Sequence, residues 1–320
     1  MSFYAGFDIG GTNARLSLFD DSWQVLAEAR ESVREALTPE EVGQAMHRML
    51  EDAGAEAGVD PASLASVGVG IAGQLDATGS VIINAPNLGW RDIRFADMLR
   101  EELEEDFGQL DIRIVNDLSA LLWGEHCKGA ITDADNVLAV YVGTGVGGAI
   151  LSNGELINGA GGKAGEIGHA KVVPGGRLCG CGQRGCVEAY AGGVHLERMA
   201  AEIAEPEGLD AVLRPGEAIT ADLFEADKLA AEGHEAFDEL WERATDYLAL
   251  TMANACTLLN PAVLLLGGGI LDNLDDFRGR VLTKVPPLVL ESARDDLEIR
   301  FPELGDEAGV FGAAKLARGT

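Results

Sequence analysis

Three of the chain's five cysteines fall within eight positions, in the stretch CGCGQRGCVE that runs from Cys179 to Glu188. Such a cluster points to one of two chemistries. Cys179 and Cys181 are too close in sequence to bridge each other without strain, so a disulfide to Cys186 would leave an odd thiol. The other reading is a metal, and three thiolates then need a fourth ligand to close a tetrahedral site. The N-terminal MSFYAGFDIGG has neither the basic region nor the long apolar stretch of a signal peptide. A reducing cytoplasm is therefore the expected setting, where clustered cysteines bind metal more often than they oxidise.

Glycine turns are the second candidate. GTGVGG (143–148) matches the letters of a dinucleotide fingerprint, but that fingerprint needs strand, turn and then helix. Here AILSNGEL follows and reads as a strand and a hairpin turn; the same objection applies to Gly10 and Gly11. No G-x-x-x-x-G-K-[ST] occurs, which excludes a P-loop. Turns without side chains still let backbone N–H groups approach phosphate oxygens. Gly10 and Gly11, with Thr12 and Asn13 adding hydrogen bonds, form one such candidate; Gly143, Thr144, Gly145 and Gly147 form another. A third cluster, Gly267, Gly268 and Gly269 at the end of LLLGGGI, offers a flat backbone against which adenine can lie. Asp8 ends the first strand immediately before its glycine turn. A carboxylate beside phosphate-binding amides makes chemical sense with a cation between them, and Mg²⁺ held largely through water is the expected one.

These groups need elements to hold them. The N-terminal stretch reads as strand, glycine turn, strand, turn, strand, followed by a helix from Pro39 to about Ala57 and an apolar strand over 66–73. A helix over roughly 92–107 follows. The strand IRIV (112–115) then runs into NDLSALLWGEHCKG, where Asn116 or Asp117 caps a helix. The opening pattern returns at 137–157, with Asn153-Gly154 marking a hairpin. A long helix near 235–258, a strand over 262–269 and a closing helix in EAGVFGAAKLARG complete an α/β chain. Its 320 residues suit about two domains, and the repeated hairpin predicts two similar lobes with a cleft between them. Cys127 and Cys256 fall in predicted helices as small core residues.

The net charge of −29, spread along the chain, argues against nucleic acid or anionic membrane as partner. No run of 18 apolar residues suggests a membrane span. With 18 Arg and only 6 Lys beside that acidity, the composition suits a salt-rich cytoplasm that screens self-repulsion.

DIGGTN, NDLSA, GTGVGG, GEIGH followed by CGCGQRGCVE, and the closing GAAKLA resemble, in order and from end to end, the ROK family of sugar kinases. The resemblance implies a two-lobed actin-like ATPase (ribonuclease H-like) fold. Residues 1–117 with about 306–320 would form the smaller lobe, and 118–305 the larger one with the metal-binding loop. It implies ATP-dependent phosphorylation of a hexose with Mg²⁺, and a homodimer or homotetramer. It also supplies the fourth ligand: His169, ten residues before Cys179, completes a Cys₃His set with Cys179, Cys181 and Cys186. That set suits structural Zn²⁺ with no open position, which would fix the loop bearing Glu166 and Glu188. Asp117 matches the family's catalytic aspartate, the general base for an acceptor hydroxyl. Gly73, Asn87, Asn116, Asp117, Glu166, His169 and Glu188 match its sugar-contacting positions, with His169 serving metal and sugar from its two ring nitrogens. APNLGW (85–90) resembles the glucokinases of the family, so glucose is the expected hexose; N-acetylmannosamine, N-acetylglucosamine, fructose and mannose are the alternatives. A sugar-responsive repressor of the same family would carry a helix-turn-helix domain first, whereas this chain's first strand begins by residue 3.

Overall fold

The apolar run FYAGFDI forms β1 (Phe3–Ile9), which turns back antiparallel into β2 (Asn13–Phe19) and on to β3 (Val25–Ser32). In this computed structural model, which describes residues 2–33, 38–207 and 219–319, a helix α1 (Pro39–Ala57) follows. Its ends are written in the sequence: Thr38 and Glu41 make a reciprocal capping box, Pro39 starts the helix, and Gly58 closes it in the left-handed region. β4 (Leu64–Ile71) then pairs parallel to β1. β5 (Gln74–Leu75), β6 (Ile82–Ala85) and β7 (Trp90–Ile93) make a small separate sheet. α2 (Phe95–Phe107), β8 (Asp111–Asn116), parallel to β4, and α3 (Asp117–Lys128) complete this part. Its main sheet has the order β3-β2-β1-β4-β8.

The C-terminal helix, Glu307–Arg318, packs on this sheet and on α3. Glycines let the backbones touch. A Cβ on Gly68 of β4 would strike the Ala313 carbonyl oxygen, and one on Gly312 would strike that of Ala120 in α3. This close approach fixes the end of β1, with Asp8, relative to the start of α3, with Asp117. Buried Glu125 of α3 ties in the distant chain, its carboxylate accepting from the N–H groups of Glu303 (3.1 Å) and Leu304 (2.8 Å).

The second part repeats the plan. β9 (Val137–Val142) and β10 (Val146–Ser152) form an antiparallel hairpin, continued by β11 (Glu155–Leu156). Asn153 and Gly154, both at positive φ (52° and 76°), make the turn between β10 and β11. After α4 (Glu188–Ala191), α5 (Gly193–Glu207), α6 (Ile219–Ala231) and α7 (Glu235–Leu259) comes β12 (Val263–Gly267), parallel to β9. α8 (Gly269–Asn273), α9 (Asp275–Leu288), α10 (Glu291–Arg294) and β13 (Glu298–Arg300) follow, and the C-terminal helix is α11. The sheet order β11-β10-β9-β12-β13 reproduces that of the first sheet strand for strand. Asp227 of α6 locks the helical layer: it accepts from Trp241 Nε1 of α7 (2.6 Å) and from the N–H groups of Asp276 and Phe277 (3.0 and 2.9 Å), which open α9.

The chain thus comprises two compact units. One is Met1–Asp133 with Leu156–Ala164 and Pro302–Thr320; the other is Ala134–Glu155 with Gly165–Phe301. The sequence placed a boundary at Asp117, whereas α3 packs on α11 and is counted with the first unit. Among the described residues no helix is long and apolar enough to cross a membrane.

Candidate functional site

In the first unit, three chain segments bring the candidate residues together. The β1–β2 turn is closed by the Gly10 N–H donating to the Asn13 carbonyl (3.0 Å), and the Thr12 carbonyl accepts from Val33 (2.9 Å). Gly11 lies against the β6–β7 loop, where a Cβ would come within 3.0 Å of the Asn87 carbonyl oxygen. The β1–β2 turn and exposed Asn87 are therefore neighbours. Asp8 stands just before the turn, partly buried, directly opposite Arg15 in the β1–β2 register. Burial raises the Asp8 carboxyl above its ordinary range; Arg15 pulls it down and Asp306 pushes it up. Arg15 itself pairs with Asp306 at 2.6 Å.

Asn116 and Asp117 sit at the junction of β8 and α3. Asn116 is the cap, its Oδ1 accepting from the N–H groups of Leu118 (3.0 Å) and Ser119 (3.1 Å). Its Nδ2 donates to the Gly73 carbonyl (3.2 Å). A Cβ on Gly73 would lie 2.9 Å from the Asn84 carbonyl oxygen, so only glycine fits between β4 and β6. Asp117 opens the helix, one carboxylate oxygen accepting from Leu118 N–H (2.9 Å) at the end of the helix dipole that favours negative charge.

In the second unit, the turn Gly143–Thr144–Gly145 lies beside the triple glycine. Gly143 N–H donates to the Gly145 carbonyl (2.9 Å), while Gly193 and Val194, at the start of α5, donate to the carbonyls of Gly143 (2.8 Å) and Thr144 (3.1 Å). Gly147 continues into β10 opposite Tyr141. Gly268, at φ 98°, would bring a Cβ within 2.7 Å of the Val142 carbonyl oxygen, and the space above Gly269 is open. An unobstructed backbone ledge follows β12, next to the turn.

The cysteine loop joins the same turn through Glu188. One Glu188 oxygen accepts from the Val146 N–H (3.2 Å), the other from the Cys179 thiol (3.2 Å). A side chain on Gly145 would collide with this carboxylate. His169, Cys179, Cys181 and Cys186 converge so that their donor atoms all lie within 4.8 Å of one another. His169 Nδ1 is 3.7 Å from Cys179 Sγ, and Cys181 Sγ is 3.7 Å from Cys186 Sγ. A tetrahedral ion with usual Zn–S and Zn–N bonds would need edges of about 3.8 Å between sulfurs and about 3.6 Å from sulfur to nitrogen. The donor set fits. None of the five cysteines is disulfide-bonded. Cys179 and Cys186 are buried; burial and then the Glu188 carboxylate hold the Cys179 thiol above its usual range. The other His169 nitrogen, Nε2, points at Glu166 (3.7 Å).

Sequence reasoning did not find three partners: Arg15 with Asp306, the Val146 amide on Glu188, and Lys171, whose Nζ lies 2.8 Å from Cys186 Sγ. Only Arg15 was legible in principle, because counting back across a tight hairpin turn sets it opposite Asp8. Cys256 is buried within α7, where burial raises its thiol to about 11, and Cys127 is half-buried in α3.

The sequence pattern of the ROK family matches residues 4–320. A glucokinase of Streptomyces coelicolor is 32% identical, covering 99% of this chain and 98% of its own length. An N-acetyl-D-glucosamine kinase of Pectobacterium carotovorum is 31% identical over 98% of both. The crystal structure of a ROK family glucokinase from Streptomyces griseus, in complex with glucose and AMPPNP, superposes with a TM-score of 0.78 at 29% identity, covering all of both chains.

Proposed function

The chain belongs to the ROK family and has its two-lobed actin-like ATPase fold, and from that premise we propose that it is an ATP-dependent hexose kinase whose hexose is glucose, giving glucose 6-phosphate. The observation that carries this reading is the placement of Asp117. Its carboxylate is anchored at the start of α3 beside the capping Asn116, in the unit that also holds the Asp8–Gly11 turn against Asn87.

The residues read as contacting the sugar are Gly73, Asn87, Asn116, Asp117, Glu166, His169 and Glu188. Asn116 keeps one N–H for the sugar after its bonds to the cap and Gly73. Asp117 accepts the proton of the 6-hydroxyl as that oxygen attacks the γ-phosphate, and a loose transition state lets the proton leave late. The glycine turns Gly10–Asn13 and Gly143–Gly147 are read as phosphate-binding, and Gly267–Gly269 as the ledge for adenine. Mg²⁺ bound with ATP neutralises charge on the transferred phosphate, and Asp8 is the residue that would hold it through water. Zn²⁺ on His169, Cys179, Cys181 and Cys186 would act structurally, fixing the segments that carry Glu166 and Glu188. The enzyme is read as cytoplasmic, homodimeric or homotetrameric, and adapted to high salt. The N-acetyl-D-glucosamine kinase relative favours a second reading, with that sugar in place of glucose.

A coupled assay of ADP release with MgATP at high KCl, across glucose, mannose, fructose, N-acetylglucosamine and N-acetylmannosamine, tests the choice. A kcat/KM highest for glucose is expected; one highest for an N-acetylated sugar would replace glucose with it.

Asp8 gives a pH prediction. It must be ionised to hold a cation, and its carboxyl is raised by burial and lowered by Arg15. Removing Arg15 raises it further, so the acid limb of kcat/KM for MgATP should move to higher pH in Arg15→Ala. Asp306→Asn removes a raising charge, and its limb should move lower. The stability sign runs the other way. The folded protein holds the Asp8 proton more tightly than the unfolded chain, so this group's contribution falls as pH rises from the unfolded to the folded value. Asp8→Asn should therefore melt higher than wild type at neutral pH while losing turnover, as paired calorimetry and assays would report.

A further inference from the structure

Lys171 is held on the metal-ligand cluster by the backbone. Val172 N–H donates to the Gly185 carbonyl (2.8 Å) and Val187 N–H to the Ala170 carbonyl (2.9 Å), so 170–172 and 185–187 run antiparallel with Lys171 paired to Cys186. Directly opposed residues project to the same side, which brings Lys171 Nζ to 2.8 Å from Cys186 Sγ.

We propose that Lys171 is a positioning residue for the metal centre, its ammonium donating to the Cys186 thiolate and offsetting the site's surplus negative charge. This rests on the zinc reading above. Three thiolates and a neutral imidazole leave a divalent ion with a net charge of −1. Two carboxylates add to it: Glu188 Oε1 stands 3.2 Å from Cys179 Sγ, and Glu166 Oε2 stands 3.7 Å from His169 Nε2. Cys186 is fully buried, so water cannot solvate its sulfur, and in a chain of net charge −29 the surrounding field gives no relief. The ammonium supplies both a hydrogen bond and a charge where the thiolate lacks water. Because Lys171 is itself exposed, salt screens the charge component, while the short contact to the buried sulfur persists. Outer-shell partners of this kind are worth roughly 10–100-fold in metal affinity.

The test is zinc affinity on the intact protein, by competition with a chromogenic chelator, for wild type, Lys171→Ala and Lys171→Arg at low and high KCl. One zinc per chain is expected in wild type, with affinity lower by about 10–100-fold in the Ala variant, near wild type in the Arg variant, and a smaller gap at high salt. Equal affinities of wild type and Ala variant would overturn the proposal, as would equal losses in Ala and Arg, which would make Lys171 a packing residue. Failure of wild type to bind zinc would overturn the zinc reading itself, and this inference with it.

Discussion

Asp117→Asn is expected to lower kcat for hexose phosphorylation by roughly 10²–10⁴-fold, the usual worth of a general base, with little change in sugar affinity or melting temperature. The fold should tolerate the change because the cap of α3 belongs to Asn116, not Asp117. An asparagine at 117 keeps an oxygen for the Leu118 N–H that Asp117 now receives. What it loses is the capacity to take a proton. The loss should therefore fall on kcat with KM nearly unchanged, the signature of an interaction made only in the transition state. Steady-state kinetics with calorimetric sugar titration check this. A variant turning over near the wild-type rate would remove Asp117 from the role of base.

Stripping the metal is expected to have the second largest effect. Cys179 and Cys186 are buried, and four donors converge within 4.8 Å. Without an ion, the loop is held closed by its backbone pairs, such as Val172 N–H to the Gly185 carbonyl, by weak thiol contacts and by the Lys171 ammonium. Glu188 depends on that loop, since it lies two residues after Cys186 and its carboxylate accepts from the Val146 amide beside the Gly143–Gly145 turn. Chelation, or Cys186→Ser, should lower stability by several kcal/mol, on the order of the losses seen when a structural metal is removed, and should raise KM for the sugar. The rest of the second unit should remain folded around its own core of β9, β12 and the α7 and α9 helices. Scanning calorimetry before and after chelation, with zinc re-addition restoring the transition, measures this. An unchanged melting temperature would deny the site a structural role.

Much of the frame was legible because local chemistry marks it. Pro39–Ala57 is bounded by a capping box and a left-handed glycine, and the Asn153-Gly154 turn announces its hairpin. The repeat of strand, glycine turn and strand foretold two sheets of one topology. The helix expected from about residue 92 begins at Phe95, because Trp90–Ile93 is spent on β7, one of three strands of two to four residues too short to show a period. Within the site, the spacing of His169 and the cysteines was visible, but the contacts that tune it were not. Lys171 reaches Cys186 only through the register of a loop, and Glu125 meets Glu303 across more than half the chain. Asn116 shows a further limit. Its motif pointed to a sugar, while the structure commits both ends of its carboxamide to the cap and to Gly73 as well.

Everything above converges on transfer of the γ-phosphate of ATP to the 6-hydroxyl of glucose. Phosphorus NMR of the purified protein with MgATP and glucose tests it most directly. The γ-phosphate signal should be replaced by that of glucose 6-phosphate, and Asp117→Asn should show no such change on the same timescale. Release of inorganic phosphate alone, or an unchanged ATP spectrum from a folded, metal-loaded protein, would contradict it.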